Sequence, residues 1–232
     1  TEALMALGVG GAAAGAGFAV GGFLKNSIDQ AVELENVTRK LTVTLGPQGA
    51  AGAINFTRGI SRELGLSFNT LIDTYSSFTA AATAASIPIE QQRQLFTSVS
   101  RAAQVYGLSN ERVGYSFLAL QQIASKGVVS MQELRQQLGE SLPVALTAAA
   151  KGLNLTQAQF IKLVESGGLA ADKFFPALSK GLDELTKSAG GLETSAQAFQ
   201  RFQNAWQELQ QGFGTSLLPS VTKSVIALKI GR

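Results

Sequence analysis

The middle of the chain repeats a three-part pattern: a residue that can begin a helix, apolar residues three or four apart, and a glycine. Ser109, for example, precedes a stripe of Val113, Phe117 and Leu120, and Gly127 follows that stripe. Apolar residues at this spacing share one face of an α-helix. A serine side chain can cap the first turn, and glycine readily takes the left-handed conformation that ends many helices. No Asn-Gly or Asp-Gly hairpin turn interrupts the pattern. The sequence therefore predicts an all-α fold built around a multi-helix globular domain.

The same pattern sets the expected helix boundaries. Predicted helices cover 24–45 and 48–64, begin after Ser67, Pro88 and Ser109, follow Pro143, and cover 156–165 and 174–189. Gly127, Gly152 and Gly167 are predicted helix ends. Tyr106 is expected on the inward face of the helix that Pro88 opens, and Phe117, Phe174 and Phe175 are expected in the core. Burying a large apolar side chain stabilises a fold by about 1.5–3 kcal/mol, so these phenylalanines favour packing over binding.

The composition of the 232 residues removes most kinds of catalysis, because the chain has no cysteine and no histidine. Disulfides, thiol nucleophiles and imidazole bases are thereby excluded, together with nearly all zinc and haem sites. Glu140-Ser141 and Glu165-Ser166 superficially resemble the Glu-Ser pair of lytic transglycosylases. Their places in and at the end of predicted helices favour ordinary solvated side chains. We therefore expect no enzyme activity, no cofactor and no metal.

The charge of the chain is low and evenly scattered. Charged residues make up 15% of the sequence, the formal net charge is +3, and no block of like charges occurs. Specific nucleic-acid binding needs a basic stripe, which the sequence lacks, so we expect none. A weakly charged surface suits contact with other proteins or with lipid.

The first apolar segment, residues 3–24, contains no charged residue. Its length approaches the roughly 20 residues that span a bilayer. Gly11 and Gly15 form one GxxxG pair, Gly17 and Gly21 another, and such pairs allow close helix packing. Three interpretations stay open: a segment that contacts or spans a membrane, a flexible apolar linker inside an assembly, or a buried core helix.

The last part of the chain predicts a long amphipathic helix with a heptad seam. The seam residues are spaced three, four, three and four apart: Phe199, Phe202, Trp206, Leu209 and Phe213. This seam indicates either a self-association stem that leads into a helical rod or a core helix packed back on the domain. The chain starts at Thr1 and ends within an apolar helical pattern, so we expect a piece of a longer protein.

The most specific string of the sequence runs from Ser125 to Pro143. Ser130 and Glu133 have the spacing of a capping box at a helix start, and Pro143 is expected to interrupt that helix. The run closely resembles the signature S-K-G-x-x-S-x-E-E-L-R-x-Q-L-x-E-x-L-P of the tape measure domain of tailed-phage tail proteins. It departs at Gln132, where the signature is acidic, and at Val144, where a glycine is common. The residues that carry the signature are Lys126, Gly127, Ser130, Glu133, Leu134, Gln137, Leu138, Glu140, Leu142 and Pro143.

The resemblance extends over roughly residues 30–220 and implies a structural role. Tape measure proteins resembling this chain are long, helical and multimeric, and tail tube subunits polymerise around them until their length is used up. They leave the tube before the DNA and are thought to help it cross the host envelope. The expected partners are further copies in a homotrimer or hexamer, tail tube and tail-tip or baseplate proteins, assembly chaperones, and the host membrane on ejection. The expected location is the virion, in the tail lumen or tip, and the host envelope during infection.

Two other functions stay open beside this interpretation. The chain could be a pore-forming or otherwise membrane-active helical protein, or a helical tail-tip adaptor with no measuring role. The expected segments are a glycine-zipper segment at 1–24, a helical tape measure domain at 25–190, and an amphipathic stem at 191–232.

Overall fold

A computed structural model describes residues 14–187 and 195–230. Within these residues the fold is all-α and contains no strand, which confirms the predicted fold class. The helices, in chain order, are α1 (Ala14–Leu64), α2 (Phe68–Ala84), α3 (Ile89–Val105), α4 (Asn110–Lys126), a π-helix π1 (Gln132–Leu138), α5 (Gly139–Ser141), α6 (Ala145–Gly152), α7 (Gln157–Glu165), α8 (Ala171–Thr186) and α9 (Ser195–Ile230).

Most helix boundaries lie where the sequence predicts them. α1 is broken at Gly46, whose φ of 75° and ψ of 170° are not helical, directly before Pro47. The Ser67 and Ser109 hydroxyls cap α2 and α4, and Thr156 forms a capping box with Gln159 at the start of α7, where the sequence predicts a helix. Gly127 ends α4 in the left-handed conformation with φ 73°, which only glycine adopts at little cost.

The chain divides into two compact units. One consists of Lys40–Arg201, and the other of Thr1–Arg39 together with Phe202–Arg232. We call them the globular unit and the terminal unit. The segment boundaries at residues 24 and 190 that the sequence indicates stay predictions.

The globular unit is organised around buried aromatic rings. Helix α2 packs on α4, α3 packs on α8, and α6 packs on α8. Phe96 of α3 stacks on Phe117 of α4 at 4.2 Å between ring centroids, and Tyr75 meets Phe96 edge-on at 4.9 Å. Phe78 meets Phe175 of α8 at 5.8 Å. All five rings are buried, and so is Phe174, which confirms Phe117, Phe174 and Phe175 as core residues.

Helices α6 and α8 approach each other at two reciprocal glycines. A Cβ atom on Gly152 would lie 1.8 Å from the carbonyl oxygen of Ala177, and one on Gly181 would lie 1.8 Å from that of Ala148. Each helix therefore offers a small-x-x-x-small pair, Ala148 with Gly152 and Ala177 with Gly181. The two backbones are in direct contact there, and no larger residue fits at either glycine.

Two local expectations need correction, and a third, the helix end at Gly152, has a different physical reason. Tyr106 follows α3 and is 44% exposed, so it does not face the core. Gly152 is the last residue of α6, but its close approach to α8 explains the glycine, while Asn154 takes the positive φ beyond it. Helix α8 begins at Ala171, three residues before the predicted start, because Ala170 already has the extended conformation that precedes a helix.

Candidate functional site

The signature segment begins at the turn between α4 and π1, which is tied to the start of α8. The amide of Val129 donates to the Leu169 carbonyl at 2.9 Å, and that of Ala171 donates to the Gly127 carbonyl at 3.0 Å. Val128 and Ala170 form an isolated antiparallel bridge between these bonds. Two loops that are distant in sequence are thus held together at Gly127.

A buried carboxylate lies directly beneath this turn. The Glu133 side chain is 2% exposed and receives hydrogen bonds from the Lys126 ammonium and the Ser130 hydroxyl. Burial disfavours the charged form, but the hydrogen bonds from Lys126 and Ser130 outweigh it and lower the pKa of Glu133 below its usual value. Glu133 therefore stays ionised, and the Lys126 charge compensates for its burial.

The capping box predicted at Ser130 and Glu133 is not formed as expected. Helix formation does begin here, since the Leu134 amide donates to the Ser130 carbonyl at 3.0 Å. The Ser130 side chain, however, bonds to the Glu133 carboxylate, and no side chain caps π1. Leaving a buried carboxylate without hydrogen-bond donors costs more free energy than leaving the helix end uncapped. The Ser130 hydroxyl and the Lys126 ammonium therefore both bond to Glu133.

The signature helix is wound as a π-helix over Gln132–Leu138. The amide of Gly139 donates to the carbonyl of Leu134, five residues earlier, in place of the usual four. Leu134, Leu138 and Leu142 are completely buried along this segment. Helical structure ends at Ser141, two residues before Pro143, as the sequence predicts.

The signature residues thus fall into two groups. Glu133, Leu134, Leu138 and Leu142 are buried and hold the segment in the fold, with Lys126, Gly127 and Ser130 fixing the turn above them. Gln137 is half-buried, and Glu140 and Pro143 are exposed. Most of the signature specifies structure, and its outward residues are the ones available to a partner.

The seam residues of α9 lie on the outside of the chain. Phe199, Phe202, Trp206, Leu209 and Phe213 are between 45% and 63% exposed. Four of them, from Phe202 on, belong to the terminal unit and form what we call the aromatic stripe. The single chain does not bury this stripe in a core.

Other residues of α9 are buried within the terminal unit, and Gly214 brings the helix into contact with α1. A Cβ on Gly214 would lie 1.9 Å from the Ser27 carbonyl oxygen, so the two backbones touch. Asn204, Gln210 and Gln211 of α9 are buried, and the Gln211 amide oxygen has no hydrogen bond. This unit therefore buries polar side chains of α9 and exposes the aromatic stripe.

The N-terminal half of α1 contributes one ring to the stripe. Phe23 meets Trp206 at 5.8 Å and Phe213 at 5.7 Å between ring centroids. Of the predicted packing glycines, Gly15, Gly17 and Gly21 lie in helical backbone of α1, and Gly11 lies outside the described residues. In the part of the chain that the structure describes, no helix carries an apolar stretch long enough to cross a membrane.

Across residues 14–187 and 195–230, acidic side chains form no cluster suited to holding a metal ion. Glu140 and Glu165 are both exposed and lie on different helical segments. The features that the structure assembles are packing surfaces: a rigid signature segment and an exposed aromatic stripe.

Comparison with known proteins decides the family. The sequence profile of tape measure proteins matches residues 25–215, which is most of the chain. The chain belongs to the tape measure protein family. The resemblance first seen at the signature segment is thereby confirmed.

A curated relative supports the same assignment. The probable tape measure protein of Salmonella phage Felix O1 (isolate Felix O1-VT1) is 29% identical over 137 residues, which cover 59% of this chain. The matched region spans 18% of the length of that tape measure protein. No solved structure matches the chain.

Three features of this tape measure domain are not predicted by the sequence patterns described above. Nothing in the string 132–138 distinguishes a π-helix from an α-helix. The bond from the Arg112 guanidinium to the Glu140 carbonyl, 2.6 Å long, joins residues 28 positions apart. The contact of α6 with α8 did leave a signal, the paired small residues at 148 and 152 and at 177 and 181, which could have been read as a helix crossing.

Proposed function

We propose that the chain is a structural piece of a phage tail tape measure protein that resides in the tail lumen or tip. The family match over residues 25–215 carries this proposal. The fold suits it, because the described part is helical and presents packing surfaces. In this proposal the whole protein sets tail length during assembly and leaves the tube to help DNA cross the host envelope.

Length measurement follows from helix geometry. An α-helix rises about 1.5 Å per residue, so an extended helical rod inside a tube fixes a length proportional to its residue count. The described residues of the globular unit, which spans Lys40–Arg201, form a compact bundle that is poorly suited to that task. We therefore assign measurement to rod segments elsewhere in the protein and assign anchoring, or a role in ejection, to this piece.

Deletions separate these two roles. Removing a multiple of seven residues from the rod outside this piece should shorten tails in proportion, as seen by electron microscopy of the virions. Removing a helix within 40–187 should instead abolish tail assembly or infection. Tails that merely became shorter after the second deletion would contradict this assignment.

We propose further that copies associate through the aromatic stripe, as a homotrimer or hexamer. Heptad spacing lets the same seam of neighbouring helices interlock, and Phe202, Trp206, Leu209 and Phe213 are all exposed. Burying such a patch between copies removes a large apolar area from water. Tube and tip or baseplate proteins, assembly chaperones and the host membrane are the further partners of this proposal.

Trp206→Ser combined with Phe213→Ser tests the association. The doubly substituted chain should sediment as a monomer and retain its helical circular dichroism, whereas the unsubstituted chain should sediment as an oligomer. Tyr106→Ser, which removes an equally exposed ring from the globular unit, is the matched control and should stay oligomeric. An oligomer that survives the double substitution would exclude the stripe as the seam.

Location distinguishes the tape measure role from its alternatives. Density for the globular unit inside the tail tube or tip favours the proposal, and density on the outer surface of the tip favours an adaptor. Leakage of liposomes by residues 1–45, compared with leakage by 25–232, tests the membrane-active alternative. Leakage that required the globular unit would shift the assignment toward a pore-forming protein.

A further inference from the structure

An apolar ridge stands out from α4 beside the signature segment. Tyr115 is 54% exposed and Leu118 is 45% exposed, and they lie three residues apart on the same helical face. A groove of about 370 Å³ separates the ridge from the signature helix, and a second groove of about 310 Å³ follows its other side. Both residues line both grooves, so the ridge presents apolar surface between two depressions.

The groove on the signature side holds an unused hydrogen-bond acceptor. The side-chain amide oxygen of Gln137 is buried and has no hydrogen bond. The Arg112 guanidinium, which also lines this groove, donates to the main-chain carbonyl of Glu140 at 2.6 Å. Because the Gln137 oxygen has almost no accessible surface, a partner in the groove reaches the exposed Glu140 side chain instead.

The charges around the ridge are mainly negative. Asp73, Glu111 and Glu140 line the two grooves, and Arg112 is the positively charged residue among the lining groups. Glu111 accepts a hydrogen bond from the Tyr115 hydroxyl, and the Lys40 ammonium lies 4.0 Å from Asp73. The Glu140 side chain is exposed and lies on the same side as the Gln137 acceptor. A positively charged group is the ligand that this rim attracts.

We propose that this ridge and its grooves bind a segment of a different protein in which an arginine or lysine stands next to an aliphatic residue. The basic side chain pairs with the exposed Glu140 carboxylate. The aliphatic side chain packs on Tyr115 and Leu118. The proposed binding surface thus includes the exposed residues of the signature segment. The buried residues of the same segment hold the exposed ones in position. The proposed surface is independent of the aromatic stripe and of association between copies.

Peptide selection on the immobilised full chain tests the proposal. A library of random twelve-residue peptides is selected on the chain and counter-selected on a chain carrying Tyr115→Ser and Leu118→Ser. The recovered sequences should share an arginine or lysine beside leucine, isoleucine or methionine. The best peptide, labelled with a fluorophore, should lose at least about tenfold in affinity on Leu118→Ser, because exposed apolar anchors dominate small interfaces.

Matched variants make the result specific. Tyr106→Ser removes a tyrosine that is 44% exposed, against 54% for Tyr115, and lies outside the grooves, so peptide affinity should be unchanged. Glu140→Lys should weaken binding, and replacing the basic residue of the peptide by glutamate should abolish it. Circular dichroism confirms that each variant is folded.

Three outcomes would overturn the inference. Selection that returned only peptides insensitive to Tyr115→Ser and Leu118→Ser would show that the ridge binds nothing of this class. A shared acidic motif would contradict the charge argument. If Leu118→Ser abolished oligomers in sedimentation, the ridge would be a contact between copies. If only Trp206→Ser abolished them, the aromatic stripe would be that contact and the ridge proposal would be unaffected.

Discussion

Gly152→Ala is the sharpest test of the packing between α6 and α8. The added methyl group would lie 1.8 Å from the Ala177 carbonyl oxygen and 2.6 Å from its carbon. Ordinary contact begins at about 3.4 Å, so the helices would have to separate by roughly 1.5 Å. Both partners are backbone atoms, and no side chain can rotate away. Overpacking of this kind costs about 1–3 kcal/mol, so the free energy of unfolding should fall by at least that much.

Urea denaturation followed by circular dichroism at 222 nm measures the effect. Gly59→Ala is the matched control, because Gly59 is exposed in α1 and a Cβ there would meet nothing within 4 Å. The free energy of unfolding of the Gly59→Ala chain should rise by about 0.5–1 kcal/mol, because alanine has a better helix propensity than glycine. A Gly152→Ala chain as stable as the Gly59→Ala chain would refute the direct backbone contact of the two helices.

Two further substitutions test the core and the buried ion pair. Phe96→Ala removes a ring that stacks on Phe117 and should cost about 3–5 kcal/mol in thermal or urea unfolding. Phe199→Ala, at an exposed ring, should change the stability of the same unit by less than about 0.5 kcal/mol, and equal losses would contradict the assigned burial. Glu133→Gln keeps the shape but loses the charge pairing with Lys126, and should cost about 1–3 kcal/mol at pH 7. Because the pKa of Glu133 is lowered on folding, its contribution is complete above the usual value of 4.5 and is lost as the pH falls below it. The stability difference between the two chains should therefore shrink below pH 4.5 in urea titrations, and a difference that grew there would reverse the sign of the argument.

The sequence was sufficient to locate most helices because their ends depend on neighbouring residues. Positive φ at Gly46 and Gly127 is a local steric preference, and the Thr156–Gln159 capping box forms within a single turn. The inward stripe of α2 is equally local, since residues spaced three and four apart share a face wherever the helix is placed. The family signature could likewise be read directly from the string 125–143.

The candidate site was predicted only in part. The signature residues and the seam of α9 were found, but not which of them are buried. Glu133 was expected as a capping residue, whereas in the fold its carboxylate is buried and paired with Lys126. Gln137 and Tyr115 carry no pattern that distinguishes them from other polar or aromatic residues of a helix.

The amino-acid sequence by itself determined the all-α fold, most helix boundaries and the family, because these depend on periodicity, turn residues and a contiguous motif. Tertiary structure decided the π-helix of the signature segment, the contact of α6 with α8, and the exposure of the aromatic stripe while polar side chains of α9 are buried. Each of these depends on which surfaces meet across long separations in the chain. The apolar periodicity of α9 specifies which face of the helix is apolar. Whether that face is buried within the same chain depends on contacts between residues that are far apart in the sequence.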